Sequence, residues 1–255
     1  MKTKIFNTGF YLLFFLFCSI LFFSCKKDNS AAPESPTGML ITPNNFLSSE
    51  KYSKLQIEIQ FVYGYKPTPT AIENIKSFLQ QRINKPGGIE VIYTTIEPSD
   101  KTIYTLDDIK AIEKANRTIK NNGSTLSAYI LFLDGNYSQN SEQLKTLGLA
   151  YGSSSMVIFE KTIRDLSGGL GQPSITSVEA TVTEHELCHI LGLVNNGTAL
   201  TSQHQDGGHG KHCINSSCLM YYATETSDIL NNLLGNNIPL LDQNCINDLK
   251  ANGGK

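Results

Sequence analysis

The sequence predicts an α/β fold built on a mixed, mostly parallel sheet, with a small helical subdomain at its C-terminal end. Three observations carry that expectation. Segments of strand-like patterning alternate with segments of helical period, the order that gives parallel strands joined by crossover helices. One segment, 127–135 (SAYILFLDG), is apolar almost throughout, as a strand covered on both faces must be. The 255 residues are 40% hydrophobic and carry a formal net charge of −2, which suits a packed core and argues against a disordered chain.

Each element has its own signal. In 54–64 (KLQIEIQFVYG), Leu55, Ile57, Ile59 and Phe61 fall on one side of a strand. From Thr68 to Ile83, Ile72, Ile75, Phe78 and Leu79 recur at helical spacing, with Pro69 near the start. Lys85-Pro-Gly-Gly88 breaks the chain before a second strand, 89–96 (IEVIYTTI). Residues 106–119 read as a helix on the spacing of Ile109, Ile112 and Ala115, and 127–135 as the central strand. A glycine-spaced loop around Gly148 and Gly152 leads into a short strand, 154–160 (SSMVIFE). Thr176-Ser-Val-Glu179 fits a capping box, so a helix is expected from there through Leu191, stopped by Gly192. Residues 195–217 are polar, Gly-rich and irregular, and Pro239–Leu249 reads as a last short helix.

Composition excludes several classes. Charged residues are only 17% and show no basic excess, so neither nucleic acid nor an anionic surface is an expected partner. Six cysteines are too few for a disulfide-dense miniprotein. The N-terminus is distinctive. Basic residues Lys2 and Lys4 precede a nearly unbroken apolar run from Phe10 to Phe23, which then turns polar at Lys26. That run is short for a spanning helix, which needs about 20 residues, and matches the apolar region of an export signal. Ser24-Cys25 at its end resembles the lipobox of bacterial lipoproteins, although Phe22 stands where Leu is usual. The resemblance implies removal of 1–24, acylation of Cys25, and a domain lipid-anchored in the bacterial cell envelope, on the periplasmic face or the cell surface. Residues 25–50, with three prolines among small polar residues, read as the lipidated Cys and a flexible tether. The folded domain is then expected over 51–255.

All five histidines lie between His185 and His212. His185-Glu186-Leu187-Cys188-His189 is a His-Glu-x-x-His motif. On a helix its two imidazoles stand one turn apart on one face and reach a single metal ion, while Glu186 beside them reaches a water on that ion. A catalytic zinc usually takes a third protein ligand. At the next position of the extended pattern, His-Glu-x-x-His-x-x-Gly-x-x-His, this chain has Gly192 but then Asn195, whose amide is a poor zinc ligand. Three histidines follow in the irregular stretch: His204, His209 and His212.

His212-Cys213, Cys218 and Met220 form His-Cys-x4-Cys-x-Met, which resembles the signature of the archaemetzincins, a group of metzincin zinc proteases. The resemblance covers residues 176–222 in motif detail. It implies a metzincin-like zincin fold, one catalytic Zn2+ held by His185, His189 and His212, and Met220 as the Met-turn methionine beneath the metal. His204 and His209 stay open as alternatives for the third ligand. Tyr222, two residues after Met220, stands where a Tyr assists zinc or the oxyanion in related metzincins; a packing role explains it equally well. Substrate in metzincins lies along an edge strand beside the active-site helix, and 154–159 occupy that place in chain order. The chain departs from the family in having no Cys-x-x-Cys for a second, structural zinc. With Cys188, Cys213, Cys218 and Cys245 in an oxidising compartment, a Cys213–Cys218 disulfide is expected to tie the loop carrying His212; pairing of Cys188 with Cys245 cannot be judged.

The expected function is a zinc metalloendopeptidase in which Glu186 is the general base, acting on protein or peptide substrates. The alternatives are a non-catalytic metal-binding surface lipoprotein on the same fold, supported by Asn195, and a metal-dependent hydrolase of a non-peptide bond. Nothing in the sequence fixes an oligomeric state.

Overall fold

The computed structural model describes residues 40–255. The expected signal, 1–24, and Cys25 lie outside the described residues. The elements run α1 (Pro43–Leu47), β1 (Lys54–Val62), α2 (Pro69–Arg82), β2 (Ile89–Ile96), β3 (Ile103–Tyr104), α3 (Leu106–Asn116), β4 (Thr125–Phe132), β5 (Asn136–Tyr137), β6 (Gly148–Ala150), β7 (Ser155–Ile158), α4 (Glu160–Leu166) and α5 (Ile175–Ile190). Two 3-10 turns, Tyr222–Glu225 and Ser227–Leu233, precede the last helix, α6 (Gln243–Ala251).

The main sheet has the order β2-β1-β4-β7-β6. The first four strands are parallel, and β6 runs antiparallel to β7 at the edge. Leu55 of β1 sits level with Ile89 on one side and Leu126 on the other. The period-2 pattern divides the two faces. Leu55, Ile57, Ile59 and Phe61, with Leu126, Ala128, Ile130 and Phe132, enter the larger core beneath α2 and α5. Tyr129, Leu131 and Leu133 enter the smaller core on the opposite face with Tyr104, Ile109 and Phe159.

Four features differ from the sequence expectation. α1 belongs to the folded body, with Phe46 and Leu47 buried, although the segment reads as tether. Its five residues are too few to show a period. β7 is internal, because the three-residue β6 covers it; the edge strand beside α5 is therefore 148–150 and not 154–159. A strand so short and begun by glycine has no readable alternation. The final helix starts at Gln243, capped by Asp242, whose carboxylate accepts from Cys245 N at 3.0 Å. The cap of α5 is two residues before the expected Thr176: Ser174 Oγ accepts from Ser177 N at 3.1 Å. Glu179, the expected capping-box partner, instead turns inward and accepts from Thr68 N at 3.0 Å, joining α5 to the start of α2.

α5 is buried on nearly every side, including Glu179, Glu184, His185 and Glu186. It packs against α2, α4, β6, β7 and the first 3-10 turn. It ends where expected. Gly192 follows the cap residue Leu191 with φ +86°, and a Cβ there would meet Thr198 N and Pro43 Cγ, each at 2.7 Å. Gly192→Ala combines left-handed strain with a clash against backbone. It is expected to destabilise the fold by roughly 2 kcal/mol or more, read as a fall of at least about 4 °C in Tm.

Candidate metal centre

One helical turn separates His185 and His189 on α5, and their Nε2 atoms stand 3.1 Å apart. His212 arrives from the irregular segment after α5. Its ring stacks on that of His185 with centroids 5.3 Å apart and meets His189 edge-on at 5.0 Å. Two of the three rings are oriented from behind. His185 Nδ1 donates to Leu219 O at 2.7 Å, and His212 Nδ1 donates to His209 O at 2.7 Å. Each therefore presents Nε2, the arrangement typical of metal-bound imidazoles. His212 Nε2 is buried and has no hydrogen-bond partner among the described residues. Burial and the neighbouring imidazoles push His185 and His189 down to about 3, so both are neutral, as metal ligands must be. These features fit zinc, which takes imidazole nitrogens at about 2.0–2.1 Å in a tetrahedral set.

The other candidates for third ligand are engaged elsewhere. Asn195 donates its amide to Gln205 Oε1 at 3.1 Å. The exposed His209 pairs with Asp206 at 2.8 Å, and His204 binds Asp248. Met220 is fully buried, and its neighbour Leu219 supplies the carbonyl that orients His185. Tyr222 stacks face to face on His209 at 3.7 Å and tilts against Tyr221.

Glu186 is fully buried. Its Oε2 accepts from Ala150 N of the edge strand at 2.6 Å, and its Oε1 has no partner among the described residues. Burial, followed by the charge of Glu225, pushes its carboxyl well above the usual range. Gly148 makes this contact sterically feasible: a Cβ there would stand 2.6 Å from Val182 Cγ1 and 2.9 Å from Glu186 Cγ. Glu225 is a residue that the motif reading missed. Its Oε2 lies 3.9 Å from Nε2 of His185, 3.9 Å from that of His189 and 3.7 Å from that of His212. A lone Glu in a polar 3-10 turn carries no spacing signal relative to the His pair.

A second cluster lies behind the loop. His204, Cys213, Asp242 and Cys245 bring one donor atom each within 4.8 Å of one another. Cys218 adjoins them, its Sγ 3.7 Å from that of Cys245. Cys213, Cys218 and Cys245 are all free, and so is the buried Cys188. Where a Cys213–Cys218 disulfide was expected, the structure has both as free thiols gathered with Cys245. Cys213 Sγ stands 3.4 Å from Asp242 Oδ2, and Cys245 Sγ stands 4.0 Å from His204 Nδ1. His204 Nε2 donates to the buried Asp248 at 2.7 Å, which leaves Nδ1 for the cluster. Hydrogen bonds from Cys213 and Cys245 pull the Cys218 thiol down to about 4. The sequence signal for this cluster was Asp242-x-x-Cys245, which escapes a search for Cys-x-x-Cys.

No protein-family model matches the chain, and no curated protein matches it in sequence. Solved structures do. Archaemetzincin from Methanopyrus kandleri superposes with a TM-score of 0.50 at 14% identity, over 78% of this chain and 96% of that one. Metalloproteinase-II from Bacteroides fragilis gives 0.43 at 16% identity, over 87% of this chain and 56% of that one. The chain shares its fold with the archaemetzincin.

Proposed function

We propose that the protein is a zinc-dependent endopeptidase. The observation that carries this reading is the convergence of His185, His189 and His212 Nε2 beside a buried Glu186 that is hydrogen-bonded to an open sheet edge. The archaemetzincin-like fold supports it. His185, His189 and His212 would hold a zinc ion, which would supply Lewis acidity toward the attacking water. Glu186, through its oxygen left unpartnered among the described residues, would accept a proton from the attacking water and pass it to the leaving amine. Its other oxygen is fixed by Ala150, so the proton acceptor is already in place before substrate binds. The substrate backbone extends along 148–150, the free edge of the sheet, where main-chain hydrogen bonds give affinity with little side-chain selectivity. Met220 packs as an apolar floor, and Tyr222, engaged with His209, is available to move toward the developing charge.

We also propose a second, structural zinc in the sulfur-rich cluster of His204, Cys213, Cys218 and Cys245, with Asp242 beside it. Zinc favours such sulfur and nitrogen sets. A metal there keeps thiols reduced outside the cytoplasm, consistent with the lipid-anchored envelope location that the Cys25 pattern supports.

The test is metal content and cleavage together. Protein purified without chelator is expected to hold two zinc equivalents and to cleave a generic unfolded protein. His189→Ala is expected to hold one equivalent and to cleave nothing detectable. A metal-replete protein inert on every peptide tested would favour the binding-only lipoprotein instead.

A further inference from the structure

We propose that Glu225 is a fourth protein ligand of the catalytic ion, one that closes the site at rest and must swing out before water and substrate share the metal. This rests on the zinc reading of the three histidines. Two zinc ligands at 2.0–2.1 Å in tetrahedral geometry stand about 3.3 Å apart. The His185–His189 pair, at 3.1 Å, is close to that edge. Glu225 Oε2 lies 3.9, 3.9 and 3.7 Å from the three Nε2 atoms. Glu225 Oε2 is thus nearly equidistant from the three nitrogens, at little more than one tetrahedral edge, where a fourth ligand would stand, and the small excess is what inward relaxation onto an ion removes. A carboxylate oxygen is an ordinary zinc ligand.

The backbone holds the residue in this place while the side chain stays partly exposed. Glu225 O accepts from Leu147 N at 2.8 Å, and Thr146 bridges to Thr226, so the 3-10 turn is pinned to the segment entering β6. The side chain is 30% exposed, unlike the fully buried Glu186, so a path to solvent is open to it. Its ion pairs among the described residues are all to these three histidines. A closed four-ligand set is characteristic of structural zinc, and an open position of catalytic zinc. A mobile carboxylate at that corner gives this chain both states.

The experiment uses the metal-free full-length protein. Zinc is titrated against a chromophoric chelator, and Co(II) is titrated while its visible absorption is recorded. His189→Ala supplies the background, since it removes the histidine site and leaves the cysteine cluster. Glu225→Ala and Glu225→Gln are compared with the parent, with circular dichroism to confirm folding. Glu225→Ala is expected to weaken zinc at the histidine site by about tenfold or more, to shift its Co(II) band, and to bind acetohydroxamate more tightly on the cobalt. Glu225→Gln is expected to fall between. Unchanged zinc affinity and an unchanged cobalt band in both variants, with the site still lost in His189→Ala, would overturn the role of Glu225 and leave the zinc reading standing. Identical titrations for His189→Ala and the parent would overturn the zinc reading itself, and this inference with it.

Discussion

Glu186→Ala is expected to keep its full zinc content and lose peptide hydrolysis by about 10²–10⁴-fold, the usual contribution of a positioned general base. The carboxylate does not belong to the cluster of donor atoms that could hold the ion, so its removal leaves the histidines intact. It is fully buried, and among the described residues its only hydrogen bond is the one from Ala150 N. A buried acid with one free oxygen is costly to the fold and is therefore expected to cost little stability when removed. Thermal unfolding of Glu186→Ala should match the parent within a few degrees, or rise. Glu186→Gln separates chemistry from scaffolding, because its amide oxygen still accepts from Ala150 but cannot take a proton. Loss of activity in both variants, with kcat reduced and metal retained, is the expected pattern. An active Glu186→Gln would reduce Glu186 to a brace for the edge strand, and full activity in Glu186→Ala would sink the mechanism.

The parts of the molecule that repeat a local rule were legible in the chain. β1, α2 and β2 follow their periodicities to within two residues, and Gly192 ends α5 where a left-handed backbone and close neighbours leave no room for a Cβ. The His185–Glu186–His189 constellation is legible for the same reason: helical spacing alone puts the two rings together. What was not legible depends on contacts between distant segments. β6 is a strand only because β7 lies beside it, and three residues cannot announce that in advance. Glu179 was misread as a cap because its carboxylate is used by Thr68, 111 positions away. Glu225 comes to the histidines through the Leu147 and Thr146 contacts, which no spacing encodes. His212 stood between these cases: the resemblance of its His-Cys-x4-Cys-x-Met setting singled it out among three loop histidines, and the contacts of its loop with Met220 and His209 position it.

Cys213 and Cys218, expected as a disulfide, are free thiols in this structure, and their surroundings lead to the second large effect. Cysteine arithmetic counts sulfurs along the chain, and Cys213 and Cys218 are neighbours there. In space they share a buried pocket with Cys245 and His204, brought in by α6 and the loop after α5. Cys245→Ser is expected to lose one zinc equivalent and to lower Tm by roughly 10 °C, the scale of losing a structural metal. Acidification is expected to mimic it, because the thiols must be deprotonated to hold the ion and metal is released as they take up protons. The effect should reach the active site. Cys213 directly follows His212, and Cys213 N donates to Met220 O at 2.7 Å, so the cluster fixes the loop that delivers the third imidazole. Cys245→Ser is accordingly expected to weaken zinc at the histidine site as well, whereas His189→Ala should leave the cluster's metal and most of the stability intact. That asymmetry is the discriminating result. Alkylation in denaturant and chelator without reductant, mapped peptide by peptide, supplies the independent check: both Cys213 and Cys218 are expected to react. If both resist until a reductant is added, the pair is a disulfide in the mature protein, and the loop is held by a covalent tie in place of a metal.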